Sequence, residues 1–216
     1  MHVVIVVFAL IAAFVAWRLY TVLGTRTGTE RPPMQPARVG GDVIDMRPNP
    51  PPPPAERWRG VAEPGSALAR GLDAIAASDP GFDPAHFLTG AKAAYEMIIT
   101  AFAAGNTEML GGLLAPEPLA NFTRAIETRR AAGQSMKVTL VSIDSAKIVE
   151  AEARNGAALI AVRYEAKMTS VTTDASGAVV EGSPTDVADH VEVWTFSRPL
   201  GSRNPNWRLE STSAAH

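Results

Sequence analysis

From Val3 to Trp17 every side chain is apolar, and the first charge is Arg18. That run constrains the chain more than any other feature, because exposing it to water is costly and only a bilayer or a large core can bury it. A bilayer core about 30 Å thick needs roughly 20 apolar residues as a helix. Val3, Ile5, Phe8, Ile11, Phe14 and Trp17 supply most of that length, and Leu19, Tyr20, Val22 and Leu23 complete it if Arg18 snorkels to the headgroups. Trp17 and Tyr20 beside Arg18 are the amphipathic residues expected at a membrane interface. A cleaved signal peptide fits less well. It would begin with a positive region and end in small residues, whereas only Met1 and His2 precede the run and a cut after Ala16 sets bulky Phe14 where a small residue is wanted. A core helix fits worse still, since no polar stripe interrupts any helical face.

Charge sets the expected orientation. Arg18, Arg26 and Arg31 follow the span and no Lys or Arg precedes it, so the positive-inside rule puts the Arg-flanked end in the cytoplasm and the short N-terminus across the membrane. The anchor is expected over residues 1–24, and a linker over 25–65. Pro32, Pro33, Pro36, Pro48 and the run Pro50–Pro54 leave no sustained helix or strand period there. Proline fixes φ and removes a donor, so the linker reads as polyproline II mixed with disorder, with a reach on the order of 120 Å at about 3.1 Å per residue. The simplest role for the proline run is a spacer.

The remainder, 66–216, is long enough for one sizeable core. Its first half carries helix signals. Leu68, Leu72 and Ile75 share a face within Ser66–Ala77, a stripe too short to hold by itself. It must dock, and the short stripe with its single Arg70 favours the domain over the bilayer. Asp83 before Pro84 reads as an N-cap with Pro at the first helical position. Phe87, Ala91, Tyr95, Ile98 and Phe102 then recur at helical spacing, off a face of Thr89, Lys92, Glu96 and Thr100, until Gly105 stops the helix. Asn106 caps a shorter helix with Met109, Leu110, Leu113 and Leu114, and Pro116 opens another with Leu119, Phe122 and Ile126 inward.

Beyond Gln134 the period becomes two. Ile160, Val162, Tyr164, Ala166 and Met168 alternate with Arg163, Glu165, Lys167 and Thr169, the pattern of a half-buried strand over Ala158–Ser170. Ser135–Ala153 reads as its hairpin partner through Asn155-Gly156, the dipeptide favoured in two-residue turns. Asp174–Gly177 and Glu181–Asp186 read as loops, and Val187–Ser197 and Asn206–Ser211 as two further strands. Helices first and an antiparallel sheet second predict an α+β fold with helices packed on one sheet face.

The run Asp79-Pro80-Gly81-Phe82-Asp83, followed by Phe87-Leu88, Gly90-Ala91-Lys92, Ala94-Tyr95-Glu96, Ala101-Phe102-Ala103, Gly105, Leu113-Leu114 and Pro116, resembles the C-terminal domain family of mitochondrial inner-membrane translocase subunit 44. The likeness resumes in Val193-Trp194-Thr195-Phe196-Ser197-Arg198 and Asn204-Pro205-Asn206-Trp207-Arg208-Leu209 and covers about Ser78 to Ser211. A bacterial, membrane-anchored adaptor branch of that family has the same order of anchor, strap and domain. The resemblance implies a cone-shaped fold like that of nuclear transport factor two. It also implies association with the cytoplasmic membrane of a bacterium and binding of a protein client or chaperone in place of catalysis. Where the mitochondrial protein carries a long helical N-terminal region that recruits its heat-shock partner, the residues here read as a span and a Pro-rich strap, so a motor-tethering role is not expected to carry over.

The chemistry-bearing residues are sparse. The chain has no cysteine, which excludes disulfides and thiolate metal sites. Lys and Arg number 20 against 22 Asp and Glu, with no basic cluster of the kind nucleic-acid binding needs. His2, His86, His190 and His216 show no metal-ligand spacing, and neither a phosphate loop nor a nucleophile elbow occurs. No cofactor is therefore expected. The alternative to an adaptor is a cone-fold enzyme of isomerase or dehydratase type, or a carrier, acting on a hydrophobic small molecule. Its acid and base would come from Asp189-His190, Tyr95 and Tyr164. The plainer reading of those residues is a solvated strand face and ring packing. Tyr95, Phe102, Tyr164, Trp194, Phe196 and Trp207 are the candidates for an apolar groove, against the commoner role of core filler.

Overall fold

The computed structural model describes residues 57–214. The expected anchor and linker residues 25–56 lie outside that range. Among the described residues no helix is long and apolar enough to cross a membrane. Four helices come first, α1 (Ala67–Ser78), α2 (Pro84–Ala104), α3 (Thr107–Leu113) and α4 (Pro116–Ala131). Four strands follow, β1 (Ser135–Arg154), β2 (Ala157–Thr173), β3 (Val179–Pro199) and β4 (Arg208–Ala214), in one antiparallel sheet of order β1-β2-β3-β4. The α+β architecture is as the periods imply.

Local chemistry starts and stops these elements. The Ala69 amide donates to Ser66 Oγ at 3.1 Å, the His86 amide to Asp83 Oδ1 at 2.6 Å and the Met109 amide to Asn106 Oδ1 at 3.0 Å, so each cap satisfies a donor that the first helical turn leaves open. Gly105 ends α2 at φ 68°, a left-handed conformation that side chains disfavour. Asn155 and Gly156, at φ 53° and 76°, close the β1–β2 hairpin with Arg154 opposite Ala157, the geometry a two-residue turn demands.

The sheet is bent by its own irregularities. Register breaks in β1 leave Val141, Asp144 and Val149 without partners on β2, and each extra residue kinks and twists the strand. A larger break separates Met168↔Ala188 from Ser170↔Ser183 and sets Pro184–Val187 outside the ladder. The stretch Glu181–Asp186, expected as a loop, is therefore a correction. Glu181–Ser183 pair with Thr172–Ser170, and β3 begins at Val179, ahead of the expected Val187. Polar residues hid the strand, because ladder pairing uses the backbone and does not require alternation. The last strand likewise runs Arg208–Ala214 where Asn206–Ser211 was expected.

The even-numbered residues of β2, Ala158 to Met168, are buried beneath α2, with Leu72 and Ile75 of α1, Leu110, Leu114, Ile126 and Leu209 completing the core. The odd-numbered face carries Arg163 and Glu165 in an ion pair, and Lys167 bridging Asp144 and Asp189. On that exposed side the Lys167 ammonium bond holds the Asp144 carboxyl below its ordinary range. α1 docks on β1, as its stripe implied, and Leu72 and Ile75 are fully buried. The approach is so close that a Cβ at Gly71 would lie 1.8 Å from the Ala151 carbonyl oxygen. At the opposite edge the Ala115 amide donates to Leu209 O at 2.8 Å, covering part of β4.

Gly71→Ala is expected to displace α1 and lower the thermal midpoint by several degrees, a loss of about 1–3 kcal/mol typical of overpacking. Gly90→Ala, also in a helix and with nothing within 4 Å of its Cβ, is expected to raise stability by about 0.5–1 kcal/mol. Thermal unfolding of the two variants checks the pair, and equal shifts would contradict the close approach.

Candidate functional site

The aromatic residues at helical spacing on α2 meet those at two-residue spacing on β2 and β3. Tyr95 stacks on Tyr164 with centroids 4.6 Å apart, and Trp194 lies 4.5 Å from Tyr95 and 5.9 Å from Tyr164. Phe196 follows at 6.4 Å from Trp194 and 6.1 Å from Phe87, which meets Trp207 edge-on at 4.9 Å. Tyr95, Tyr164, Trp194 and Phe196 are buried, and Trp207 is partly so. Their surfaces are turned on one another, a column of rings running between α2 and the sheet. Phe102, named with them from sequence, stands apart. It packs on Phe122 at 5.1 Å beneath the Arg129 guanidinium, which donates to the Phe102 and Ala103 carbonyls at the end of α2. Burial and the neighbouring Arg130 lower the Arg129 pKa from its usual value.

One end of the column is polar. Glu192 Oε2 accepts from Trp194 Nε1 at 3.0 Å and from the Tyr95 hydroxyl at 3.4 Å, while the Tyr164 hydroxyl donates to the Ala91 carbonyl at 2.8 Å. Both phenols are pushed well above the ordinary tyrosine range. Burial is the main cause for each, reinforced at Tyr95 by the Glu192 carboxylate and at Tyr164 by Tyr95. A phenol so raised and already donating is a structural hydrogen-bond donor and a poor general base.

Asp189 and His190 diverge, as successive strand residues must. Asp189 faces the charged side of the sheet, 3.3 Å from Lys167, and His190 faces the side of Glu192 and Trp194, opposite Ala166. His190 lines an open cleft of about 470 Å³ with Met168, Ser170, Gly182, Ser183, Asp186 and Ala188, formed where β3 leaves register. The two residues cannot act as a dyad across the sheet. Among the described residues no group of His, Asp and Glu is placed to hold a metal ion, and no buried side-chain nitrogen or oxygen lacks a partner.

At the other end of the column three separated motifs converge. Asp79, from the Asp79-Pro80-Gly81-Phe82-Asp83 run, pairs with Arg198 from the end of β3, and the Arg198 guanidinium lies 4.8 Å over the Trp207 ring. Phe82 packs on Phe87 at 6.0 Å and on Trp207 at 6.2 Å. The pair is mostly shielded, with side-chain exposures of 14% for Arg198 and 29% for Asp79.

A family model described as the Tim44-like domain matches residues 68–214, from the second residue of α1 to the last of β4. The chain belongs to the Tim44-like domain family. Human mitochondrial import inner membrane translocase subunit TIM44 is 24% identical to it over 147 residues, 67% of this chain and 32% of that protein. The chain thus spans about a third of the length of that curated relative. Among solved structures, the intermembrane-space region of chloroplast protein ARC6 aligns with a TM-score of 0.43 at 19% identity, over 59% of this chain and 95% of that one. A proposed dehydratase of the NTF2-like family from Streptomyces avermitilis aligns with a TM-score of 0.31 at 12% identity, over 62% of this chain and 99% of that one.

Within the Tim44-like domain, sequence reasoning named the motif residues without joining them. Nothing in their spacing says that Asp79 meets Arg198 across 119 positions. It missed Trp58 altogether. This residue lies among the prolines and arginines of the expected linker, yet it is 4% exposed and donates from Nε1 to Asp73 Oδ1 at 2.8 Å. An isolated Trp before a helix N-cap was the available signal.

Asp79→Ala is expected to cost about 1–3 kcal/mol, between the values for exposed and fully buried pairs, because Arg198 would be left largely shielded without its partner. Chemical denaturation measures it. A change near zero would show that solvent already satisfies Arg198. A second test concerns the phenols. Their raised folded-state pKa leaves stability unaffected below the ordinary tyrosine value of about 10 and erodes it as pH rises beyond that, since only the unfolded chain ionises. In a Tyr20→Phe variant, phenolate absorbance is expected to stay flat through pH about 10 and to rise only together with loss of the fold. Ionisation before unfolding would overturn this account of Tyr95 and Tyr164.

Proposed function

We propose that this chain is a membrane-tethered, non-enzymatic adaptor. Its Tim44-like domain binds a protein client or chaperone at the cytoplasmic face of a bacterial inner membrane, in protein translocation or membrane-protein biogenesis. The observation that carries this reading is that the family match takes in the described fold from α1 to β4, with a subunit of a membrane import translocase as a relative. The tether is supported by the Val3–Trp17 run and its orientation by Arg18, Arg26 and Arg31. The geometry adds to the case. The aromatic column is filled by its own rings, the two tyrosines are donors already engaged, and Asp189 and His190 lie on opposite sides of the sheet.

Among the described residues, a small-molecule carrier or enzyme finds its support in the cleft beside His190. The two readings separate in one experiment. Full-length chain carrying a photo-crosslinker at exposed Met97 or Val187 is irradiated in its native membranes, and the same preparation is weighed intact by native mass spectrometry. The adaptor reading expects discrete protein adducts at one of these positions. No adduct, with a small molecule retained and lost on His190→Ala, would replace it by the carrier. Activity of a periplasm-only reporter fused to the C-terminus would overturn the orientation.

A further inference from the structure

Trp58 and its neighbours precede the family-matched stretch, yet Trp58 is buried in the core, with Val61 and Ala62 packed against it. The Val61 and Ala62 amides donate to the Trp58 carbonyl at 2.9 and 3.0 Å and close a tight turn. The Trp58 ring lies 6.3 Å from Phe82, its Nε1 donates to Asp73 of α1, and the Arg57 guanidinium covers its outer side at 4.8 Å. Phe82, Phe87 and Trp207 already pack on one another, so the floor beneath Trp58 is complete without it. Gly60 sits inside this turn at φ 80° and Gly65 follows it at φ 73°, each with nothing within 4 Å of its Cβ position. A glycine in that conformation carries no side chain of its own to resist rotation, and Gly65 is held by one bond, from the Arg70 guanidinium to its carbonyl.

We propose that residues 57–65 form a latch. Trp58 is a ligand carried in cis for an aromatic-accepting socket formed by Asp73 of α1 and Phe82, and the latch opens while the domain from α1 to β4 stays folded. Closed, it holds the end of the preceding chain against Asp73 and Phe82. Open, it lengthens that chain by residues 57–65, on the order of 30 Å when extended. It also uncovers an apolar floor bordered by the Asp73 carboxylate, a site for an indole or another aromatic side chain with a hydrogen-bond donor. The inference goes beyond the adaptor reading and does not depend on it.

The test uses the full-length chain and two indole protons that act as internal controls for one another. Trp58 and Trp194 both donate from Nε1 to a carboxylate, but only the Trp194 bond lies inside the aromatic column. Hydrogen exchange followed by nuclear magnetic resonance is expected to release the Trp58 indole proton about tenfold faster than that of Trp194, or faster still, because it needs only a local opening. In a Trp58→Ala variant, amide protection is expected to fall at Val61 and Ala62 and to persist through α2 and β2. Equal exchange at the two indoles, or loss of protection throughout the domain in the variant, would overturn the latch and make Trp58 an ordinary part of the core.

Discussion

The contact on which the rest of this structure depends is the one between α2 and the sheet. It is made by rings, with Tyr95 and Phe87 meeting Tyr164, Trp194, Phe196 and Trp207. Each ring pair contributes roughly 0.5–1.5 kcal/mol beyond the area it buries, and the burial of each ring contributes more. Rings alone do not set a register, and here the polar groups do. The Tyr164 hydroxyl reaches the Ala91 carbonyl, and Glu192 holds Tyr95 and Trp194 by one oxygen. These bonds satisfy polar atoms that burial would otherwise leave without partners, and they fix where helix and sheet meet.

Around that contact the sheet must bend, and its bulges show how. β1 sheds Val141, Asp144 and Val149 from its pairing with β2, and β3 sheds Pro184–Val187. The same devices blunt exposed backbone edges, since a bulged or proline-bearing edge is a poor template for another strand. Elsewhere the edges are covered, by α1 at Ala151 and by Ala115 at Leu209.

The Tim44-like motifs acquire a physical meaning in this frame. Asp79, Phe82, Arg198 and Trp207 sit at one end of the aromatic column and tie the start of the domain to its last hairpin. The latch around Trp58 lies on that same end. The residues that hold the domain closed and the Trp58 turn thus meet at Phe82. Glu192 and the His190 cleft occupy the other side of the tyrosines, where the sheet is least covered.

Much of the fold was legible in the sequence. The recurrence of Phe87, Ala91, Tyr95 and Ile98 specified α2, alternation specified β2, Asn155-Gly156 specified the hairpin, and Asp83 and Asn106 specified the starts of α2 and α3. These are local signals, set by backbone geometry over a few residues. Asp189 and His190, offered together as acid and base from the sequence, face opposite ways in the structure because they are successive residues of one strand. The start of β3 was not legible, because Glu181–Ser183 pair through their backbones and their side chains carry no alternation. The six groove candidates looked alike as apolar residues, yet five join the column and Phe102 belongs to a separate pair beneath Arg129. Trp58, the Asp79–Arg198 pair and the sharing of Glu192 by Tyr95 and Trp194 came only from the tertiary structure. The sequence by itself determined the helices, the β1–β2 hairpin and its turn, since those depend on near neighbours. Which distant side chains meet was decided by the tertiary structure, because it depends on how a bent sheet brings residues more than a hundred positions apart to within hydrogen-bonding distance.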